Sequence, residues 1–309
     1  MKNYITHHEW CIVEDGFHPA HNEITESLMS LGNGRMGQRG NFEEYYTGKS
    51  LLGNYVAGVY FPDKTRVGWW KNGYPNYFAK VINACNWIGI SVEIQGEILD
   101  LNTAIVENFR RVLDMKRGVL ERSCTVETPN GHRLKLESQR FCSMVDDEAG
   151  AISYSVTPLN FDGPITFTPF LDGTIRNRDA NYEETFWNEI KKETSFGEGM
   201  LILETKANPY GVEQFQVATG MRFDISLNGE KVDFQSIPIR DEKYVGAKVQ
   251  IQAAQDEQIT LFKYAVNLSS LNYKKENLAA ETKAYLDRIT SKGYEQMYAE
   301  HVQAWAQKG

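Results

Sequence analysis

Only four of the 309 residues are cysteine, and none stands in a C-x-x-C pair. Cys11, Cys85, Cys124 and Cys142 are scattered, so their spacing gives neither a zinc cluster nor a disulfide framework, and free, mostly buried thiols are expected. Excess positive charge is missing too: 33 basic residues stand against 41 acidic ones, a formal charge of -8 without a basic stripe. That balance argues against nucleic acid and anionic membrane as partners and leaves a neutral ligand. No run approaches the roughly 18 apolar residues of a membrane span, and residues 1–10 lack the apolar core of a signal peptide. A soluble, cytoplasmic chain is expected. Its size permits a large core, since chains of about 300 residues hide roughly 75% of their unfolded surface.

Helical periodicity is scarce over most of the length. From about residue 88 to 266 apolar and polar residues alternate over short runs, the period-2 signature of half-buried strands. Ile88, Ile90, Val92 and Ile94 form the clearest run, and Gln95-Gly96 turns the chain back. Asn130-Gly131 and Asn228-Gly229 suit the positive φ values of type I′ hairpin turns. Further strands are expected at 152–156, 165–167, 201–203, 249–251 and 259–262, which together predict a mainly β fold built as a large antiparallel sandwich. The stretch 172–195, rich in Asn, Asp and Glu, reads as a long solvated connection with a short helix around 182–191. After Ser270 the pattern changes. Leu278, Thr282, Tyr285, Leu286 and Ile289 share one helical face, and after Gly293 so do Tyr294, Met297, Tyr298, His301, Val302 and Trp305. The chain therefore divides into a sandwich, 1–269, and a helical linker, 270–309.

Gly32, Gly34 and Gly37 spell G-x-G-x-x-G. A dinucleotide site requires a strand before that pattern, a helix after it and an acidic residue about 20 positions on. Gly40 falls where the first helical turn would form, and the acidic residue is missing, so the dinucleotide reading is rejected. Carboxylates that could act as acid or base fall in or beside expected loops, at Asp146, Asp147, Asp172, Asp179, Glu183 and Glu184, where solvation or turn capping accounts for them equally well. His7, His8, His18 and His21 have no further ligand at recognisable spacing, and no G-x-S-x-G elbow is present. Aromatic residues are better candidates, because a flat ring covers the apolar face of a sugar while amides and charges bind its hydroxyls. Trp69, Trp70 and Tyr74 lie in one apparent loop, with Arg39, Asn41 and Asn54 as polar groups of the glycine-rich segment. One tryptophan facing the core and ordinary loop hydrogen bonding are the plain alternatives. Trp87 is read as core.

Taken with its flanks, the segment from Glu26 through Phe42-Glu43-Glu44 to Leu52-Gly53-Asn54-Tyr55-Val56-Ala57-Gly58-Val59-Tyr60 resembles the start of glycoside hydrolase family 65, which holds maltose, kojibiose and trehalose phosphorylases and some hydrolases. The resemblance continues through Tyr74-Pro75, Phe78-Ala79-Lys80, Asn86-Trp87-Ile88-Gly89-Ile90, Phe109-Arg110-Arg111-Val112-Leu113-Asp114-Met115 and Gly118-Val119-Leu120, covering nearly the whole chain. It implies a galactose-mutarotase-like super-β-sandwich followed by linker helices that lead to an (α/α)6 barrel carrying the catalytic acid. No residue here matches that acid, so no catalytic residue and no metal is assigned, and the chain alone is expected to be inactive. The implied parent reaction is inverting phosphorolysis of an α-linked glucose disaccharide, with inorganic phosphate as co-substrate and no other cofactor. The implied partners are the catalytic barrel, a small carbohydrate and a second copy in a homodimer. A free-standing carbohydrate-binding module and a small hydrolase using two sandwich carboxylates are the rival readings.

Overall fold

The computed structural model describes residues 4–65, 73–177 and 184–308. Among them an eleven-stranded antiparallel sheet runs in the order Ile5–His7, Cys11–Asp15, Ile105–Asp114, Val119–Glu127, Arg133–Cys142, Ala149–Pro158, Ile259–Ser269, Gln216–Leu227, Glu198–Thr205 and Trp187–Ser195, with Glu230–Lys231 beside Gln216–Leu227. A five-stranded sheet faces it, ordered Ser236–Asp241, Tyr244–Ala253, Gly163–Asp172, Ile90–Ile94 and Glu97–Ile98. Alternation places the core: in Val119–Glu127 the side chains of Leu120, Arg122, Cys124 and Val126 are buried inward, while Glu121, Ser123, Thr125 and Glu127 lie half-buried on the outer face. Ile90, Val92 and Ile94 meet them from the small sheet in one apolar cluster with Trp87, Phe167 and Leu261.

Among the described residues there are three α-helices: α1 (Asn22–Leu28), α2 (Leu278–Lys292) and α3 (Tyr294–Ala306). α2 and α3 lie on the outer face of the large sheet, where Phe141, Ala149, Ala151, Ala218, Tyr264 and Val266 are apolar on the side that would otherwise meet water. The helical stripes foreseen from the sequence face this patch. Gly220 lets α2 approach, since a Cβ there would lie 2.5 Å from Thr282 Cγ2.

Two local expectations need correction. Residues 187–195 form a strand, not a helix, because Trp187 is buried with its indole Nε1 donating to Asn83 O at 2.7 Å and the segment pairs along Glu198–Thr205. The adjoining 178–183 lie outside the described residues. At Asn130-Gly131 only the glycine takes positive φ, 84°, and the Gly131 N–H closes on Thr128 O, so that hairpin uses a longer turn than type I′. Gln95-Gly96 and Asn228-Gly229 have positive φ at both residues, as a type I′ turn demands.

Lys263, in the middle of Ile259–Ser269, is fully buried and reaches across the sandwich to the other sheet, donating to Gly89 O and Phe170 O at 2.8 Å each. Two carbonyls match the two N–H bonds of a neutral amine, and burial holds the Lys263 pKa well below its ordinary value. The unfolded chain then binds the extra proton between the depressed folded pKa and about 10.5, so stability rises with pH across that window. Lys263→Met is expected to remove this rise, giving a melting temperature whose climb as pH approaches about 10.5 is shallower than in the wild type. Parallel pH profiles for the two proteins would show that Lys263 does not titrate in that window.

Candidate functional site

The glycine-rich segment folds as a hairpin. Leu31–Gly32 pairs with Met36–Gln38, which pairs in turn with Asn54–Val56. Asn33 closes the turn by accepting from the N–H groups of Arg35 and Met36 at 3.0 and 2.9 Å, and Gly34 takes the left-handed conformation at φ 90°. No helix follows. Gly40 instead runs so close to Met29 that a Cβ would meet its backbone oxygen at 3.0 Å, and Phe42-Glu43-Glu44 then turns into the interior.

Two buried ion networks anchor the segment. Arg122 donates to both oxygens of Glu44 at 2.6 Å and to Glu43 Oε2 at 2.8 Å, and Arg140 bonds the other Glu43 oxygen. Burial opposes the charge on Glu43, but Arg140 and Arg122 outweigh it and hold the carboxyl down at about 2. For Glu44 burial wins over Arg122, and its pKa is raised. Nearby, Arg111 pairs with Glu14 at 2.7 Å and donates to Gly40 O and Asn22, although burial raises the Glu14 pKa against the pull of Arg111. Glu26 accepts from Ser50 Oγ and the Leu51 N–H, both at 2.7 Å.

These networks hold residues 42–52 as one wall of a cleft of about 540 Å³. The opposite wall is Asn86 with Phe170, Asp172, Thr174, Ile175 and Arg176. Phe42, Tyr45, Tyr46 and Phe170 give it rings, while Thr47, Asn86, Asp172 and Arg176 give it polar groups. Among the described residues no three His, Cys, Asp or Glu side chains gather to hold a metal ion, and no helix is long and apolar enough to cross a membrane.

The residues singled out from the sequence are not gathered at one point. Asn41 is buried, with its Nδ2 donating to Leu51 O and Ser50 Oγ and its Oδ1 accepting from the Gly53 N–H. Asn54 is buried too, and its N–H donates to Asn83 Oδ1 at 2.8 Å. Arg39 lies half-buried along Gly53 and donates to Ser27 Oγ at 3.0 Å. Tyr74 is exposed and sits edge-on to Phe78 at 6.1 Å between ring centres. Trp69 and Trp70 lie outside the described residues, as do Asp179 and Glu183. Of the other carboxylates, Asp146 accepts from Arg288 and Lys292 of α2 and Asp147 pairs with Arg35, whereas Asp172 lines the cleft. Sequence reading missed Tyr45, Tyr46, Asn86 and Arg176. The adjacent pairs Glu43-Glu44 and Tyr45-Tyr46 were a usable signal, because rings beside acids at the end of a glycine-rich segment mark a wall rather than a core.

Known proteins align with this chain along nearly all of it. The profile of the glycosyl hydrolase family 65, N-terminal domain, matches residues 12–308. Maltose phosphorylase of Bacillus subtilis (strain 168) is 40% identical over 300 residues, which are 97% of this chain and 38% of the relative. Alpha,alpha-trehalose phosphorylase of Thermoanaerobacter brockii is 26% identical over 304 residues, covering 93% and 38% of the two chains. A solved structure described as a putative kojibiose phosphorylase from human microbiome superposes with a TM-score of 0.82 at 24% identity, covering 98% of this chain and 38% of that one, and shows the sandwich fold. The chain thus spans well under half the length of these relatives. It belongs to glycosyl hydrolase family 65, as the N-terminal domain found in phosphorylase-like enzymes.

Proposed function

We propose that this domain scaffolds an enzyme performing inverting phosphorolysis of an α-linked glucose disaccharide, with inorganic phosphate as co-substrate and a catalytic barrel as its partner. The observation that carries the reading is the 40% identity to a maltose phosphorylase over 300 residues. A phosphorylase needs a single acid, because phosphate itself attacks the anomeric carbon. The domain's task is then mechanical: a rigid sandwich, pinned by buried ion pairs, presents one rim to the barrel. Tyr74 has the exposure to reach a sugar, Arg39 is half-buried, Asn41 acts through the backbone it supports, and the buried side-chain amide of Asn54 has no hydrogen-bond partner among the described residues. The exposed Phe78 and Val81 on the hairpin of Tyr60–Lys64 and Tyr77–Val81 favour a homodimer contact. A cytoplasmic location accords with free thiols at all four cysteines.

The test is turnover. The chain fused to the barrel of the Bacillus subtilis maltose phosphorylase is expected to release glucose 1-phosphate from maltose and phosphate. The 309-residue chain alone is expected to release neither glucose nor glucose 1-phosphate from maltose, kojibiose, nigerose or trehalose. Turnover by the chain alone that survives repurification and disappears in Asp172→Asn would overturn this division of labour, making the sandwich a hydrolase in its own right.

A further inference from the structure

The cleft beside Glu43-Glu44 holds polar groups that nothing in the fold uses. Asn86 and Asp172 exchange both backbone hydrogen bonds, Asn86 N–H to Asp172 O at 2.8 Å and Asp172 N–H to Asn86 O at 3.1 Å. Residues paired directly in this way send their side chains out on the same face, and both line the cleft. Asn86 is only 7% exposed, and its Oδ1 is fixed as an acceptor by the Ile88 N–H at 3.2 Å. That orientation turns Nδ2 outward, with no partner among the described residues. Asp172 Oδ1 accepts from the Thr174 N–H and hydroxyl at 2.8 and 2.7 Å, which leaves Oδ2 likewise without a partner among the described residues. An amide donor and a carboxylate acceptor therefore stand side by side in the cleft.

The facing wall complements them. Tyr45 on that wall is 54% exposed. Asn86 is nine-tenths buried, and buried polar groups are ordinarily satisfied, so its open donor beside the open acceptor of Asp172 calls for a polar ligand or ordered water. The cavity volume of about 540 Å³ lies within the range of small-molecule sites and holds one or two sugar rings. Charge narrows the class further. Glu43 and Glu44 are neutralised by Arg122 and Arg140, and the lining adds one acid, Asp172, and one base, Arg176, so by formal count the cleft carries no net charge.

We infer that this cleft is a binding site for a neutral pyranoside, in which Asn86 Nδ2 and Asp172 Oδ2 take two adjacent hydroxyls and the Tyr45 ring covers a face of the sugar. The site is built from the sandwich's own residues, and its test does not depend on whether the parent enzyme is a phosphorylase.

Titration of the chain with methyl α-D-glucopyranoside and with maltose, followed by saturation-transfer NMR and calorimetry, tests the site. Saturable binding in the millimolar range is expected. Asp172→Asn keeps an oxygen for Thr174 and so keeps the turn, but it replaces the free acceptor with a donor. Tyr45→Ala removes an exposed ring. Each is expected to weaken binding at least about tenfold, that is by about 1.4 kcal/mol, with an unchanged melting temperature. The inference is overturned by no saturation at about 50 mM sugar, by sugar affinity that neither substitution alters, or by saturable binding of inorganic phosphate in place of the sugars. Failure here leaves the phosphorylase reading intact, since that reading is judged by turnover of the fused enzyme.

Discussion

Arg122→Ala is expected to destabilise the domain by about 3–5 kcal/mol, the cost of removing one partner from a buried ion network. Arg122 is buried in mid-strand and makes three charge-assisted bonds, two to Glu44 and one to Glu43. Its loss leaves Glu44 with no guanidinium and Glu43 with Arg140 alone, in an interior that also holds the buried hydroxyl of Tyr154 and the thiol of Cys124, which burial pushes up to about 12. Such a carboxylate cannot stay charged at modest cost, so the segment 42–52 should detach and the cleft open. Lysine in place of arginine is expected to rescue little, because one ammonium cannot serve both oxygens of Glu44 and reach Glu43 with fork geometry. The pH dependence follows from the two carboxyls in opposite senses. Glu43, held at about 2 in the fold, contributes stability that is fully present above its ordinary 4.5 and is lost as pH falls toward 2. Glu44, raised by burial, takes stability away as pH climbs through 4.5 toward its folded value. Urea unfolding of Glu43→Gln should therefore show a large deficit at pH 7 that narrows below pH 4. A deficit of equal size at pH 2.5 and pH 7 would mean that packing, not charge, is what Glu43 supplies.

Much of this architecture could be read from residue order, and the boundary of what could be read is physical. Period-2 runs such as Ile90, Val92 and Ile94 reported the inner face directly, because one face of each strand is dry. The helical stripes of 278–289 and 294–305 were equally plain, since a helix on a sheet buries one stripe. Residues 187–195 were misread because acidic and basic side chains of an edge strand look like a solvated loop, while the one informative residue, Trp187, is a single ring. Asn41 and Asn54 looked like ligand contacts because polar residues near glycines occur in loops of both kinds; only the fold shows that Asn41 spends its amide on Leu51, Ser50 and Gly53. The cleft itself was hidden. Its walls come from 42–52, 86 and 170–176, segments brought together by the pairing of Asn86 with Asp172, and no spacing rule predicts that juxtaposition.

Removing residues 294–309 is the second change expected to have a large effect. Tyr294, Met297 and His301 of α3 are buried against Phe141, Phe262 and Tyr264, and the Tyr294 hydroxyl donates to Gln139 at 2.8 Å. The contact is specific at its far end as well. Trp305 Nε1 donates to Met115 O at 2.8 Å, and its ring lies where a Cβ on Gly118 would approach within 2.6 Å, so a left-handed glycine at φ 67° is required beneath it. Burying Tyr294 and Met297 at about 1.5–3 kcal/mol each gives about 3–6 kcal/mol from those two side chains, which corresponds to a fall in melting temperature of about 5–9 °C for a domain of this size. Deletion also bares Phe141, Phe262 and Tyr264 together, so aggregation and binding of a hydrophobic dye should accompany the loss. Acid should mimic part of it: His301 is buried with Nε2 on Gly118 O, and burial lowers its pKa, so its contribution is complete above about 6.5 and declines as pH falls below that value. Met297→Ala separates packing from chain removal and is expected to cost about 2–5 kcal/mol. If the truncated chain keeps its melting temperature and stays soluble, α3 rests on the sheet without stabilising it, and its apolar stripe is shaped for a partner outside the sandwich.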